Sequence, residues 1–279
     1  MKILRPALYS GIFYSADPDN LRLQLKYYLD HPSESNHETI KALVVPHAGY
    51  DYSGRTAGST YAQVRGKTKP KRIVLVGPNH QNAHNGGLIS DYTALQTPLG
   101  EISVDQTFIH NHWQPLDYVQ VDNATHATEY SLEVQLPFIH TCFPELPVAP
   151  LLLGPCSTEQ AQFLLKPAWE DPETLIVISS DLYHYLPRSQ ALLTGMQTIR
   201  LIEAKHSDRL TPDQACGYLG LKGLIQLAQQ PDYVWRTIAA HHSAQSNHLN
   251  PSNLVGYAGL LLVKPLSFLS TDPAYPNEN

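Results

Sequence analysis

The chain has 279 residues, 42% of them hydrophobic, with 19 Lys and Arg against 25 Asp and Glu for a formal net charge of -6. That length and apolar content suit one α/β core near the size at which a single domain stops growing, so residues 1–279 are read as one domain. The acidic balance and the lack of any Lys/Arg cluster argue against nucleic acid as a partner, and no window approaches the ~20 apolar residues that cross a bilayer.

Residues Arg5 to Tyr14 read as extended. Asp17-Pro18 is a helix start ahead of Leu21 to Leu29. A polar loop from His31 to Asn36 leads to a strand over Ile40 to Val45, which runs into Pro46-His47-Ala48-Gly49-Tyr50. After a turn over Gly49 to Gly54, a helix is expected over Arg55 to Val64, then a strand over Ile73 to Val76 that runs into Gly77-Pro78-Asn79-His80. The strands are continuous apolar runs, as expected where helices cover both faces of a parallel sheet. Residues Ala83 to Asp122 are rich in turns, and Thr97-Pro98-Leu99-Gly100-Glu101 suggests a hairpin at a lid or rim. Glu129, Ser131 and Glu133 alternate, as they would along an extended segment, and Leu132 to Phe138 is apolar. A strand over Val148 to Leu153, a helix over Ser157 to Trp169 and a strand over Leu175 to Ser179 follow. Helices are expected over Ser189 to Ala204 and Thr211 to Gln229. Strands near Val234 to Ala239 and Leu254 to Val263 close the chain before a loose polar tail, 271–279. The fold class is therefore α/β, with a mostly parallel central sheet flanked by helices.

In such a sheet the ligand crevice lies beyond the carboxyl ends of the strands, so the repeated strand-Pro-His pattern sets His47 and His80 at one rim. Neutral imidazole is the commonest metal ligand, and two imidazoles make an incomplete site. Cys216, near a helix start, is the best thiol to complete it, against the alternative of two turn-capping histidines and a small buried cysteine. Asp181 and His184, three residues apart past a strand end, suit a general acid/base pair, or else a helix cap and a histidine packed on a neighbouring tyrosine. His241, His242 and His248 lie in a stretch of loop composition and read as solvated. The three cysteines, Cys142, Cys156 and Cys216, are odd in number and widely spaced, unlike a disulfide framework or a zinc knuckle. With no apolar h-region at Met1 to Ala7, a cytoplasmic protein is expected, with a small-molecule or peptide ligand and no membrane.

Taken together, Arg5-Pro6, Gly11, Phe13-Tyr14, Pro46-His47-Ala48-Gly49-Tyr50, Tyr52-Ser53-Gly54, Gly77-Pro78-Asn79-His80, Thr97-Pro98-Leu99-Gly100, Glu129, Ser131-Leu132-Glu133, Gln135-Leu136-Pro137-Phe138, Ser179-Ser180-Asp181, His184-Tyr185 and Cys216-Gly217 resemble the Memo family over nearly the whole chain. The resemblance implies a fold similar to class III extradiol ring-cleaving dioxygenases, a metal held by His47, His80 and Cys216, and His184 near it as an acid/base. A cysteine where the dioxygenases carry a carboxylate favours copper or iron, with zinc a further candidate. Family members usually read Glu-His-Ser where this chain has Glu129-Tyr130-Ser131, which replaces a titratable imidazole by a phenol. The function expected is that of a copper- or iron-dependent, dioxygenase-like redox protein, with Tyr14, Tyr52, Glu129 and Tyr130 lining the substrate side. The alternatives are a binding module that reuses the pocket without turnover, and a zinc-dependent hydrolase with Glu129 or His184 as base.

Overall fold

In the first part of the chain, local chemistry and packing compete over where each element begins. A computed structural model describes residues 2–30, 38–81, 84–245 and 253–265. The expected loop at 31–36, His248 and the tail at 271–279 lie outside them. The short strand β1 (Leu4–Arg5) is followed by turns over most of the stretch expected to be extended. Helix α1 (Pro18–Leu29) is capped by the Asp17 carboxylate, which accepts from Asn20 N at 2.8 Å, and buries Leu21, Leu25 and Leu29 on one stripe. After β2 (Glu38–Val45), helix α2 (Tyr50–Ala62) starts at Tyr50, five residues before the expected start at Arg55. Gly54, expected to close a turn, is a site of close approach, as is Gly58 within the expected helix: a Cβ on Gly58 would lie 2.3 Å from the Tyr28 carbonyl oxygen, and one on Gly54 2.7 Å from the Tyr28 ring.

Strands β3 (Arg72–Pro78) and β4 (Gly87–Ile89) precede the expected hairpin, which is formed by β5 (Ala94–Thr97) and β6 (Gly100–Ser103), paired antiparallel. Helix α3 (Gln106–His112) and strand β7 (Val119–Val121) complete the turn-rich middle. The segment expected to be extended at 129–133 is helical. Helix α4 (Asn123–Thr128) ends at Glu129, whose carboxylate accepts from Ser131 N at 2.9 Å and so starts the single turn α5 (Tyr130–Glu133), followed by α6 (Leu136–Cys142). A local side-chain cap here overrides an alternating pattern.

Strand β8 (Val148–Leu153), helix α7 (Thr158–Glu170), strand β9 (Thr174–Ser179) and helix α8 (Arg188–Glu203) follow near their expected places. The helix expected over 211–229 is shorter: α9 spans Tyr218–Leu227, behind a turn held where Gly217 presses on Ser180. A Cβ at Gly217 would lie 2.7 Å from the Ser180 Cβ. Strand β10 (Val234–His242) is longer than expected and takes in His241 and His242, so neither sits in a loop. His241 Nδ1 lies 3.0 Å from Thr56 Oγ1. Strand β11 (Gly256–Pro265) ends the described chain.

Among the described residues the larger sheet is mixed, with eight strands in the order β10-β11-β2-β9-β3-β8-β4-β7. Its centre, β2-β9-β3-β8, is parallel, while β11 joins β2 and β4 joins β8 antiparallel. β3, β8 and β9 are buried almost throughout, as strands covered on both faces must be. Helix α2 packs on β2, β10 and β11, whereas α7 and α9 pack on each other and against β9 and β3. The register pairs Val45 with Ser179, Val76 with Ile178 and Pro78 with Leu153, so the carboxyl ends of four neighbouring strands share one edge.

β1, β5 and β6 form a second, three-stranded sheet that brings Arg5 to that edge from outside. The Arg5 guanidinium is buried and makes an ion pair with buried Glu133 at 2.7 Å. It also donates to the carbonyls of Pro6, His126, Ala127 and Glu129. Glu133 in turn accepts from Leu8 N, Tyr9 N and the Tyr14 hydroxyl. Removing one partner of a buried pair strands the other charge. Arg5→Met should therefore lower the unfolding free energy by about 3–5 kcal/mol. Urea denaturation checks this, and a change under ~1 kcal/mol would contradict it.

Candidate metal centre

His47 lies two residues past β2 and His80 two residues past β3, with β9 between them in the sheet. The two rings reach over the end of β9 until their centroids are 5.3 Å apart, with planes at 87°. Cys216 enters from the turn before α9: its sulfur accepts from Asp181 N at 3.2 Å and lies 3.3 Å from His47 Nε2. One ligand atom each from His47, His80 and Cys216 falls within 4.8 Å of the other two. Tetrahedral ligands on bonds of about 2.0–2.3 Å are roughly 3.3–3.7 Å apart, so modest closure of these side chains would seat one ion.

Both imidazoles have their tautomer set by what lies behind them. The Ser179 hydroxyl carries one proton and donates it to the Ser131 carbonyl at 2.6 Å, while also accepting from Gln135 Nε2 at 2.9 Å. Its 2.9 Å contact with His47 Nδ1 therefore requires the imidazole to donate, which leaves the lone pair on Nε2 toward the cluster. At His80, Nδ1 meets a Glu129 carboxylate oxygen at 2.8 Å, and the other oxygen accepts His80 N at 2.9 Å. That carboxylate accepts but cannot donate, so the neutral tautomer it selects at His80 carries its proton on Nδ1 and leaves the lone pair on Nε2. Metal-bound histidines characteristically use their second nitrogen in this way.

The electrostatics favour a neutral His47. Burial lowers His47 to about 4, only partly opposed by Asp181. Burial alone would raise the Glu129 carboxyl, but hydrogen bonds from His80 and Ser131 outweigh it and hold the group below the usual carboxylate range. Burial and the neighbouring Asp181 push the Cys216 thiol up when no cation is present. A Cys–His nucleophile needs the reverse polarisation, thiolate beside imidazolium, whereas a cation would bring the thiol back down.

The other candidate residues fall into different places. Asp181 Oδ1 accepts His47 N at 2.8 Å, and Oδ2 lies 3.8 Å from His184 Nε2 at the partly exposed rim. Tyr185 follows with φ 56°, a left-handed turn at the site's edge. Tyr130 stacks on His80 with centroids 4.7 Å apart. Tyr14 is elsewhere: its buried hydroxyl is committed to Glu133 Oε1 at 2.8 Å. Tyr52 is exposed in the first turn of α2, with its ring beside Gly49. Sequence reasoning gives Ser179 and Gln135 no role beyond membership of a motif. The available signal was a serine closing the apolar run Leu175 to Ser179, because a polar group buried there needs partners. Cys142 and Cys156 are pushed up to about 12 and about 11 by burial and lie outside the cluster.

Comparison with known proteins bears on the chain as a whole. The family model described as Memo-like protein matches residues 5–261. A MEMO1 family protein from Archaeoglobus fulgidus is 33% identical over 265 residues, covering 90% of this chain and 97% of that one. Another, from Metallosphaera sedula, is 27% identical over 91% of this chain and 96% of its own length. Among solved structures, the uncharacterized protein JW3007 from Escherichia coli K12 superposes with a TM-score of 0.47 at 13% identity, over 79% of this chain and 99% of that chain, too remote to bear on the site.

Burial holds both His47 and His126 at about 4, against about 6.5 in an unfolded chain. Between those values the unfolded chain binds protons that the folded one refuses, so stability is lost as pH falls through 6.5 toward 4. Metal-free protein should lose about 2 kcal/mol per histidine between pH 7 and pH 5. Urea midpoints at the two pH values check this, and equal midpoints would contradict it.

Proposed function

The chain belongs to the Memo-like protein family, and on that premise we propose that it is a metal-dependent redox protein in which His47, His80 and Cys216 hold a copper or iron ion. The observation that carries the reading is the convergence of three ligand atoms within 4.8 Å, two of them imidazole nitrogens already turned toward the third residue's sulfur or its neighbourhood by bonds at Nδ1. Thiolate and imidazole donors suit copper, iron and zinc, and a copper or iron ion supplies one-electron or dioxygen chemistry when bound.

The chain's own residues have separable parts in this reading. Ser179 and Glu129 orient the two imidazoles, and Asp181 fixes the His47 main chain through its N–H. His184, partly exposed and paired with Asp181, is placed to take or return a proton at the rim. A small molecule or peptide is the ligand we favour, since a chain of net charge -6 offers no footprint for phosphate backbones. No helix among the described residues is long and apolar enough to cross a membrane. We place the protein in the cytoplasm, where a reducing environment keeps an unpaired thiol such as Cys216 available to a metal.

Metal analysis after reconstitution tests the proposal. Wild-type protein should retain about one ion per chain, His47→Ala and Cys216→Ser should lose it, and Glu129→Gln should bind about 10- to 100-fold more weakly. Wild type and His47→Ala equally free of metal would end the proposal. Zinc alone in natively purified protein would favour a hydrolase over a redox protein.

A further inference from the structure

The ring of Tyr130 is gripped on both faces. It stacks on His80 with centroids 4.7 Å apart and planes 5° apart, and on Phe13 at 5.0 Å and 29°. Tyr9 and His47 meet it edge-on at 5.7 and 5.6 Å. Glu129, immediately before it, is fixed by His80 and Ser131, so neither the backbone nor the ring of Tyr130 has room to wander. Its hydroxyl ends 3.5 Å from His80 Nε2, too long for a strong bond.

The orientation of the stack decides what that hydroxyl can do. The lone pair of His80 Nε2 lies in the imidazole plane, and the phenol lies in a neighbouring plane almost parallel to it. While the stack persists, the phenol oxygen cannot share His80's ligand position; it lies beside that position, 3.5 Å from Nε2. A phenol is neutral throughout the ordinary pH range and offers one donated hydrogen bond with no positive charge. The hydrogen bonds of the nearby carboxylates go to other donors: Glu129 accepts from His80 and Ser131, and Asp181 Oδ1 from His47 N.

We propose that Tyr130 is a ligand-binding residue whose hydroxyl donates a hydrogen bond to a small anionic ligand seated beside His80 at the metal centre. This rests on the metal reading above and narrows it: the centre accepts small anions bearing an electron-rich donor atom, such as a carboxylate or phenolate oxygen, held on one side by the ion and on the other by Tyr130.

Cobalt(II) is a suitable probe ion, because it takes imidazole and thiolate ligands and is not reduced by the thiol. Wild-type protein and Tyr130→Phe, which keeps the stacked ring, are loaded with cobalt(II) and titrated with azide while the visible absorption of the ion is followed. The two proteins should bind cobalt(II) within about twofold of each other, and azide should bind Tyr130→Phe at least about tenfold more weakly. Equal azide affinity in the two loaded proteins would overturn the inference and leave the metal reading standing. Loss of cobalt(II) by Tyr130→Phe would also overturn it, because the hydroxyl would then be supporting His80 and not a ligand. Failure of the wild type to take up cobalt(II) would remove the metal reading and this inference together.

Discussion

The site depends on two hydrogen bonds made behind the imidazoles, His47 Nδ1 to Ser179 and His80 Nδ1 to Glu129. Each fixes a tautomer that a free histidine would only sample, and each turns a lone pair toward Cys216. Ser179 can act this way because its own proton is already committed to the Ser131 carbonyl, and Gln135 fills its other acceptor position. Gln135 Nε2 also donates to the Pro46 carbonyl, the residue before His47. The orientation of one ring is thus tied to the backbone that carries it and to two further segments of chain.

That arrangement is possible because the parallel centre of the sheet ends four strands along one edge, with the end of β9 inserted between the histidine-bearing ends of β2 and β3. Close backbone approach then brings in the third residue. Gly217 lets the turn before α9 lie against Ser180, and the Asp181 N–H points at the sulfur. From the other side, Arg5 gathers the carbonyls of residues 126, 127 and 129 and neutralises Glu133, which holds the Glu129 segment over His80. So many buried polar groups are tolerable only because nearly all of them have partners.

Several parts of this are legible in the amino-acid sequence because they are local. Continuous apolar runs such as Leu175 to Ser179 mark strands covered on both faces, and two such runs leading into Pro46-His47 and Pro78-Asn79-His80 mark one rim. The hairpin at Thr97 to Gly100 follows from its turn residues. What is hidden depends on neighbours distant in the chain. Gly49 to Gly54 looks like a turn until Tyr28 is seen lying across Gly54, and Glu129 to Glu133 alternate like a strand although the Glu129 cap makes a helical turn. His241 and His242 look like loop residues but finish a strand paired with β11. Tyr14 looks like a pocket residue, yet its hydroxyl serves Glu133, a partner that no spacing in the sequence announces. Ser179 is plain to see but mute, because its importance comes from three partners spread over the fold.

X-ray absorption at the metal edge of zinc-reconstituted protein tests most directly whether His47, His80 and Cys216 share one ion. The account predicts one sulfur neighbour at about 2.3 Å together with imidazole nitrogens at about 2.0–2.1 Å, and loss of the sulfur shell in Cys216→Ser. A shell of nitrogen and oxygen alone in the wild-type protein, unchanged by that substitution, would contradict it.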